Sequence, residues 1–244
     1  MAKTCVIDVG GRFRGIYAAA ALDRCLDEGI SFDLGIGISA GSANIASFLS
    51  RQKGRNYRFY TVYGKRWQYA SLRNFLTKRS YIDMDYVYGT LSNSDGEDPM
   101  DYDTFMDNPM DFIVVATKAE TAEAIYIPKR QMKRDAYDVF KTSSAIPGIC
   151  RPHKAYNIAC FDGALGDPVP VRWVLYQGCD KVVVLLNRTL RRKEPIVRRR
   201  SFVYSFAEKE RELAAAGRLI TASLSFGMLL ACAGLVATLL YLLF

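Results

Sequence analysis

Leu34-Gly35-Ile36-Gly37-Ile38-Ser39-Ala40-Gly41-Ser42-Ala43-Asn44-Ile45 passes from a short apolar alternation into small residues with helical spacing, and one serine stands at the crossing. The pattern predicts a strand over 34–38 and a helix over about 40–49. Gly37 and Gly41 lie two residues before and two after the serine. A sharp strand-to-helix turn needs them there, because a larger Cβ would clash where the two elements pass. Such a turn lifts the Ser39 hydroxyl to the carboxyl end of a sheet, near the N-terminal dipole of the next helix. A small-residue turn around a buried serine has the same pattern, so the pentapeptide points to a fold before it points to a reaction.

Outward from that turn, strands and helices alternate. Thr4–Val9 reads as a buried strand and 15–28 as a helix closed by Gly29. Further strands are expected at 112–117, 124–127 and 181–186, with a helix over 135–143 that ends before Pro147. Strands separated by helices imply an α/β fold with a central, mostly parallel sheet in three layers. A chain of 244 residues, half of them apolar, holds one large domain. With 18 Gly and 8 Pro, disordered and collagen-like compositions are excluded. Six scattered cysteines without a C-x-x-C pair, and a single histidine, argue against a zinc site or a disulfide framework. Free thiols in a reducing compartment are expected. The apolar run begins at Thr4, which is too early for a signal peptide to precede it.

The net charge of +8 calls for an anionic partner, a membrane surface or a nucleic acid. No nucleic-acid-binding module is recognisable, so nucleic acid is not expected. Residues 51–79 carry nine basic side chains and no acidic one, whereas 83–111 carry nine acidic and no basic. Either the two arms attract each other, or Arg55, Arg58, Lys65 and Arg66 with Tyr57, Tyr60 and Trp67 face lipid headgroups. A second basic run, 188–200, leads through 188–218 to an uncharged stretch, 219–244, rich in Leu and Ala. As a helix, 26 residues reach about 39 Å, enough for a bilayer core of ~30 Å. Arg211 and Arg218 would hold its near end in the cytoplasm. Ser223, Gly227 and Ala231 form a small-residue stripe on which a homodimer could pack. The expectation is a single C-terminal anchor at the cytoplasmic face of a membrane.

Three stretches carry chemistry. Gly10-Gly11-Arg12-Phe13-Arg14-Gly15 closes the first strand and opens a helix, a place where unpaired N–H groups suit an anion or a developing oxyanion. A dinucleotide fingerprint fits less well, because Arg12 stands where its second glycine belongs. The serine needs a base. His153 is the single histidine, and an order of Ser, His, Asp differs from that of the α/β hydrolases. Asp162 is the better candidate: it ends an apolar stretch, and Gly163 and Ala164 allow a turn that aims its carboxylate across the sheet edge.

Together these stretches resemble the patatin-like phospholipases, bacterial-type members in particular, over about Thr4–Leu186. Ser143–Pro147 and Asp167–Val171 are also similar to that family's connecting segments. The resemblance implies a patatin-like domain at 1–187 and a Ser39–Asp162 dyad without histidine. It also implies an oxyanion loop at Gly10, Gly11, Arg12, Phe13, Arg14 and Gly15, with neither metal nor organic cofactor. The implied activity is a carboxylic ester hydrolase of phospholipase A or lysophospholipase type, releasing fatty acid from glycerophospholipids or lysophospholipids at a membrane. Alternatives are a soluble acyl esterase or thioesterase, and a lipid-binding pseudoenzyme. The family shows three glycines in succession, and Arg12 replaces the third. The expectation is that this distorts the loop if the backbone needs φ > 0 there.

Overall fold

Val6, Ile7, Ile36, Ile38, Val114 and Val115 are all fully buried, which follows from strands covered on both faces. The computed structural model describes residues 2–187. Among these, β1 (Thr4–Asp8), β2 (Leu34–Ile38), β3 (Asp111–Lys118), β4 (Ala124–Pro128), β5 (His153–Ala155), β6 (Ile158–Asp162) and β7 (Lys181–Leu185) form one sheet. The helices are α1 (Ile16–Asp27), α2 (Ala40–Leu49), α3 (Arg55–Thr61), α4 (Leu72–Lys78), α5 (Tyr102–Asp107), α6 (Asp138–Ser144) and α7 (Val171–Tyr176). Val6, Val114 and Ala116 pack with Leu22 of α1, Ile45 and Leu49 of α2 and Phe140 of α6. Cys5, Ile7, Ile36 and Val115 pack with Val174 of α7 on the other side. Each large apolar side chain so buried contributes roughly 1.5–3 kcal/mol.

The architecture is α/β, but the sheet is mixed where a mostly parallel one was expected. Its path is β5-β6-β3-β2-β1-β7, with β4 also paired to β3. The β1–β2, β1–β7 and β2–β3 pairs are parallel, and β3–β4, β3–β6 and β5–β6 are antiparallel. The antiparallel half arises from short connections. Tyr156 (φ 52) and Asn157 (φ 64) join β5 to β6, the two-residue, twice left-handed turn that hairpins favour. The predicted helix over 135–143 starts later, at Asp138, because Asp135 sits at φ 58.

One consequence of the register positions the site. Residues 113–115 of β3 pair with both β2 and β4, and 116–117 with both β4 and β6. A strand has two edges, so β2 and β6 share one of them, end to end. Ile38 is opposite Val115 and Asp162 is opposite Ala116. The carboxyl ends of β2 and β6 therefore meet head-on along adjacent residues of β3.

The charge-segregated arms attract each other. Arg58 grips Asp98 with two hydrogen bonds of 2.7 and 2.9 Å, and buried Arg55 lies 3.5 Å from the same carboxylate. Arg66 makes a similar fork on Glu97, and Lys78 pairs with Asp83. Arg55 is buried with Asp98, so it presents no charge to a headgroup.

The expected location at the cytoplasmic face of a membrane, held by one C-terminal anchor, is also corrected. No helix of the described residues is long and apolar enough to cross a membrane. The longest, α1, has 12 residues, about 18 Å against a core of ~30 Å. The segments 188–218 and 219–244, with the transmembrane helix and homodimer stripe expected there, lie outside the described residues.

Candidate active site

Ser39 occupies the first position after β2, and its backbone stands at φ 54, ψ −132. A non-glycine residue in that region is strained by roughly 1–3 kcal/mol and persists only where its surroundings over-determine it. Those surroundings are visible. The Ser39 N–H donates to Ser143 Oγ at 2.8 Å, and that hydroxyl donates to the Val115 carbonyl at 2.6 Å. The Ser39 carbonyl accepts from the Ser42 N–H and hydroxyl, at 3.0 and 2.6 Å. A Cβ on Gly41 would lie 2.2 Å from the Asp8 carbonyl oxygen, so α2 can approach β1 only with glycine there. Gly37 lies in β2 opposite Asp8, packed on Ser42.

Asp162 stands across the seam from Ser39, whose side chain favours the ionised carboxylate. Both residues are buried, at 7% and 6% exposure, so their meeting is screened from bulk water. The Asp162 N–H donates to the Ala145 carbonyl, and its carbonyl accepts from Thr117 Oγ1, each at 2.8 Å. Its Oδ1 accepts from the Ala164 N–H at 2.9 Å. Gly163 packs against the Val115 carbonyl. Burial raises the Asp162 pKa to about 6, partly offset by Ser39, the Ala164 amide and the Arg12 charge. A carboxylate tuned to that range can take up and return a proton near neutrality.

The Gly10–Gly15 turn lies directly on the serine elbow. A Cβ on Gly10 would meet the Ile38 carbonyl at 2.3 Å and the Gly41 amide at 2.9 Å. Gly10, Gly11 and Arg12 have φ of 67, 113 and 56, so the third position does require the left-handed region. Arg12 adopts that left-handed backbone itself, at a cost glycine would not bear. Among the described residues none accepts the Gly11, Arg12 or Phe13 amide proton, whereas the Arg14 amide donates to the Gly11 carbonyl at 3.2 Å. The Gly15 carbonyl accepts from Asn44 at 3.0 Å. Three free donors beside a serine are what a tetrahedral oxyanion needs.

Sequence reasoning missed the groups that hold this turn. Asp8, fully buried, accepts from the Gly10 N–H and from Asn44 Nδ2, at 2.9 and 2.8 Å. Tyr60 donates to Asn44 Oδ1 at 2.9 Å. Burial raises the Asp8 pKa to about 6, against its two donors. An aspartate closing an apolar strand just before Gly-Gly was the available signal. His153 faces Asp85 and Arg151 from β5, and burial lowers its pKa. Among the described residues no cluster of His, Cys, Asp or Glu is placed to hold a metal.

Arg12, Phe13, Ser39 and Ala40 line a cavity completed by aromatic and aliphatic side chains, among them Tyr60, Tyr69, Met84 and Ile146. An apolar pocket ending at a serine beside a buried carboxylate suits an acyl chain. A family model described as patatin-like phospholipase matches residues 9–175, which span all three stretches. The chain belongs to that family. This patatin-like chain is also 29% identical over 189 residues to the uncharacterized protein YjjU of Escherichia coli (strain K12), covering 75% of this chain and 51% of that protein. It thus spans about half the length of that relative. Membership of the patatin-like family assigns the domain to a group of lipid acyl hydrolases.

Proposed function

We propose that the patatin-like chain hydrolyses acyl esters of glycerophospholipids or lysophospholipids with a Ser39–Asp162 dyad that uses no histidine. The observation that carries this reading is the strained Ser39 set across the β2–β6 seam from a buried Asp162 whose pKa is raised to about 6. Ser39 Oγ attacks the ester carbonyl and its proton passes to the Asp162 carboxylate. The carbonyl oxygen becomes an oxyanion, held by the free amides of the Gly11–Phe13 turn. As the tetrahedral adduct collapses, the leaving alcohol takes the proton from Asp162 and an acyl-serine remains. Water then attacks the acyl carbon, Asp162 again accepts a proton, and the second collapse releases the fatty acid and returns the proton to Ser39. The apolar wall of the cavity holds the acyl chain.

The φ of 56 at Arg12 favours one competing reading, a lipid-binding pseudoenzyme whose oxyanion turn is misdirected. Fluorophosphonate labelling separates the two. The wild-type chain should be labelled and should release fatty acid from micellar lysophospholipid, and Ser39→Ala should do neither. A wild-type chain that binds lipid yet resists labelling would establish the pseudoenzyme.

A further inference from the structure

Among the described residues lining the cavity before Ser39, Arg12 carries the one charged side chain. It is half-buried, and no described carboxylate lies within ion-pair range of it. Arg55, Arg58 and Arg66, by contrast, are each tied to an acidic side chain. Arg12 also keeps a long cationic side chain on left-handed backbone, where glycine would be unstrained. A guanidinium that has shed part of its hydration against an apolar wall gains most from an anion that accepts two hydrogen bonds, and its fork matches carboxylate or phosphate. The other described side chains lining the cavity are uncharged and mostly apolar or aromatic, so the acyl chain takes that wall and the guanidinium is left to the leaving alcohol.

We propose that Arg12 selects esters whose leaving alcohol carries an anionic group, phosphate or carboxylate, a few bonds from the scissile oxygen. The inference rests on the acyl-hydrolase reading and assigns recognition of the substrate's anionic group to one side chain of this chain. In the Michaelis complex the anion sits on the Arg12 guanidinium, the alcohol oxygen faces Asp162, and the acyl chain lies along the apolar wall.

Three soluble esters of one acyl group test this on the full-length chain: 1-butyrylglycerol, 1-butyrylglycerol 3-phosphate and 3-butyryloxypropanoate. The readout is the ratio of kcat/KM for each anionic ester to that for the neutral one, so a turnover defect common to all cancels. Wild type should favour an anionic ester roughly ten- to a hundredfold, the usual worth of a charge-assisted contact. Arg12→Gln and Arg12→Gly should both bring the ratio near one, and Arg12→Lys should restore part of it. A larger preference for the phosphate ester assigns the anion to a phosphoglycerol, and one for the propanoate assigns it to a carboxylate. Calorimetric titration of Ser39→Ala with 1-butyrylglycerol 3-phosphate, with and without Arg12→Gln, gives a measurement free of turnover, and Kd should weaken about tenfold or more. If wild type cleaves none of the esters, the proposed function falls, and this titration alone decides the role of Arg12. An unchanged ratio or an unchanged Kd in the Arg12 variants overturns the inference.

Discussion

Asp162 sets the expected pH dependence of the reaction. A carboxyl group with a pKa near 6 accepts a proton only when ionised, so kcat/KM should drop about tenfold per unit below pH 6 and level off above it. Asp162→Asn should cost roughly 10²–10⁴ in rate, the usual range for general-base help. His153→Ala should cost less than about tenfold and keep the acidic limb, because His153 faces Asp85 and Arg151 instead. A pH–rate profile of the three proteins checks both, and a limb that vanished with His153 would bring the histidine into the reaction. Ser39→Ala should retain the wild-type circular dichroism spectrum while losing hydrolysis, since one oxygen leaves a turn held mainly by backbone contacts. The glycines around Ser39 were legible because their spacing reports a steric demand on the residues beside them. Ser143 and Thr117 were not, because each acts on a partner far away in sequence, and nothing in their neighbours betrays it.

Elements were readable where the core made them so. The strands β1, β2, β3 and β7 are apolar runs, and such runs announce themselves. The β5–β6 hairpin did not, because Tyr156-Asn157 lacks the Asn-Gly or Asp-Gly that usually marks such a turn. Contact between α2 and β1 depends on Gly41. Gly41→Ala should destabilise by about 1–3 kcal/mol or more, since its Cβ would strike the Asp8 backbone and overpacked cores lose this much. A thermal melt should show the lower Tm, and activity should fall as the turn is pushed off Ser39. The paired arms allow a second test. Asp98→Asn leaves the buried Arg55 guanidinium uncompensated and should cost about 3–5 kcal/mol in urea unfolding. Adding Arg55→Met should recover part of that loss. If Asp98→Asn proved neutral, the arms would owe their association to the apolar core that holds Phe59 and Tyr63 of one with Val87 and Leu91 of the other.

For the molecule as a whole, stability and activity should move in opposite directions with pH. Asp8 and Asp162 are both raised from 3.8 to about 6, so folding favours their protonated forms. Their contribution is full below about pH 4 and is lost as pH rises through 6. His153, lowered by burial, opposes them as one group against two. Carboxylates with lowered values, Asp33, Glu97, Asp101 and Asp135 among them, stabilise above about pH 4 and lose that contribution below it. Urea midpoints should therefore rise from pH 7.5 to about 5 and fall again by 3.5, while hydrolysis weakens across the same descent. Asp162→Asn should flatten part of the rise, and a midpoint that declined steadily from pH 7.5 would contradict the assignment.

The end-to-end meeting of β2 and β6 on β3 also governs when reactivity can first appear as a chain is made. Ser39 leaves the ribosome early, and Asp162 follows 162 − 39 = 123 residues later. Until β6 docks beside Ala116 and Thr117 the proposed nucleophile has no base, and until Ser143 is made nothing holds its amide. β7, which closes the far side of β1, comes later still. On the proposed dyad, a half-translated patatin-like chain should be chemically silent toward lipids. Its hydrolytic capacity is switched on by the last long-range closures of the sheet, in one step with the fold itself.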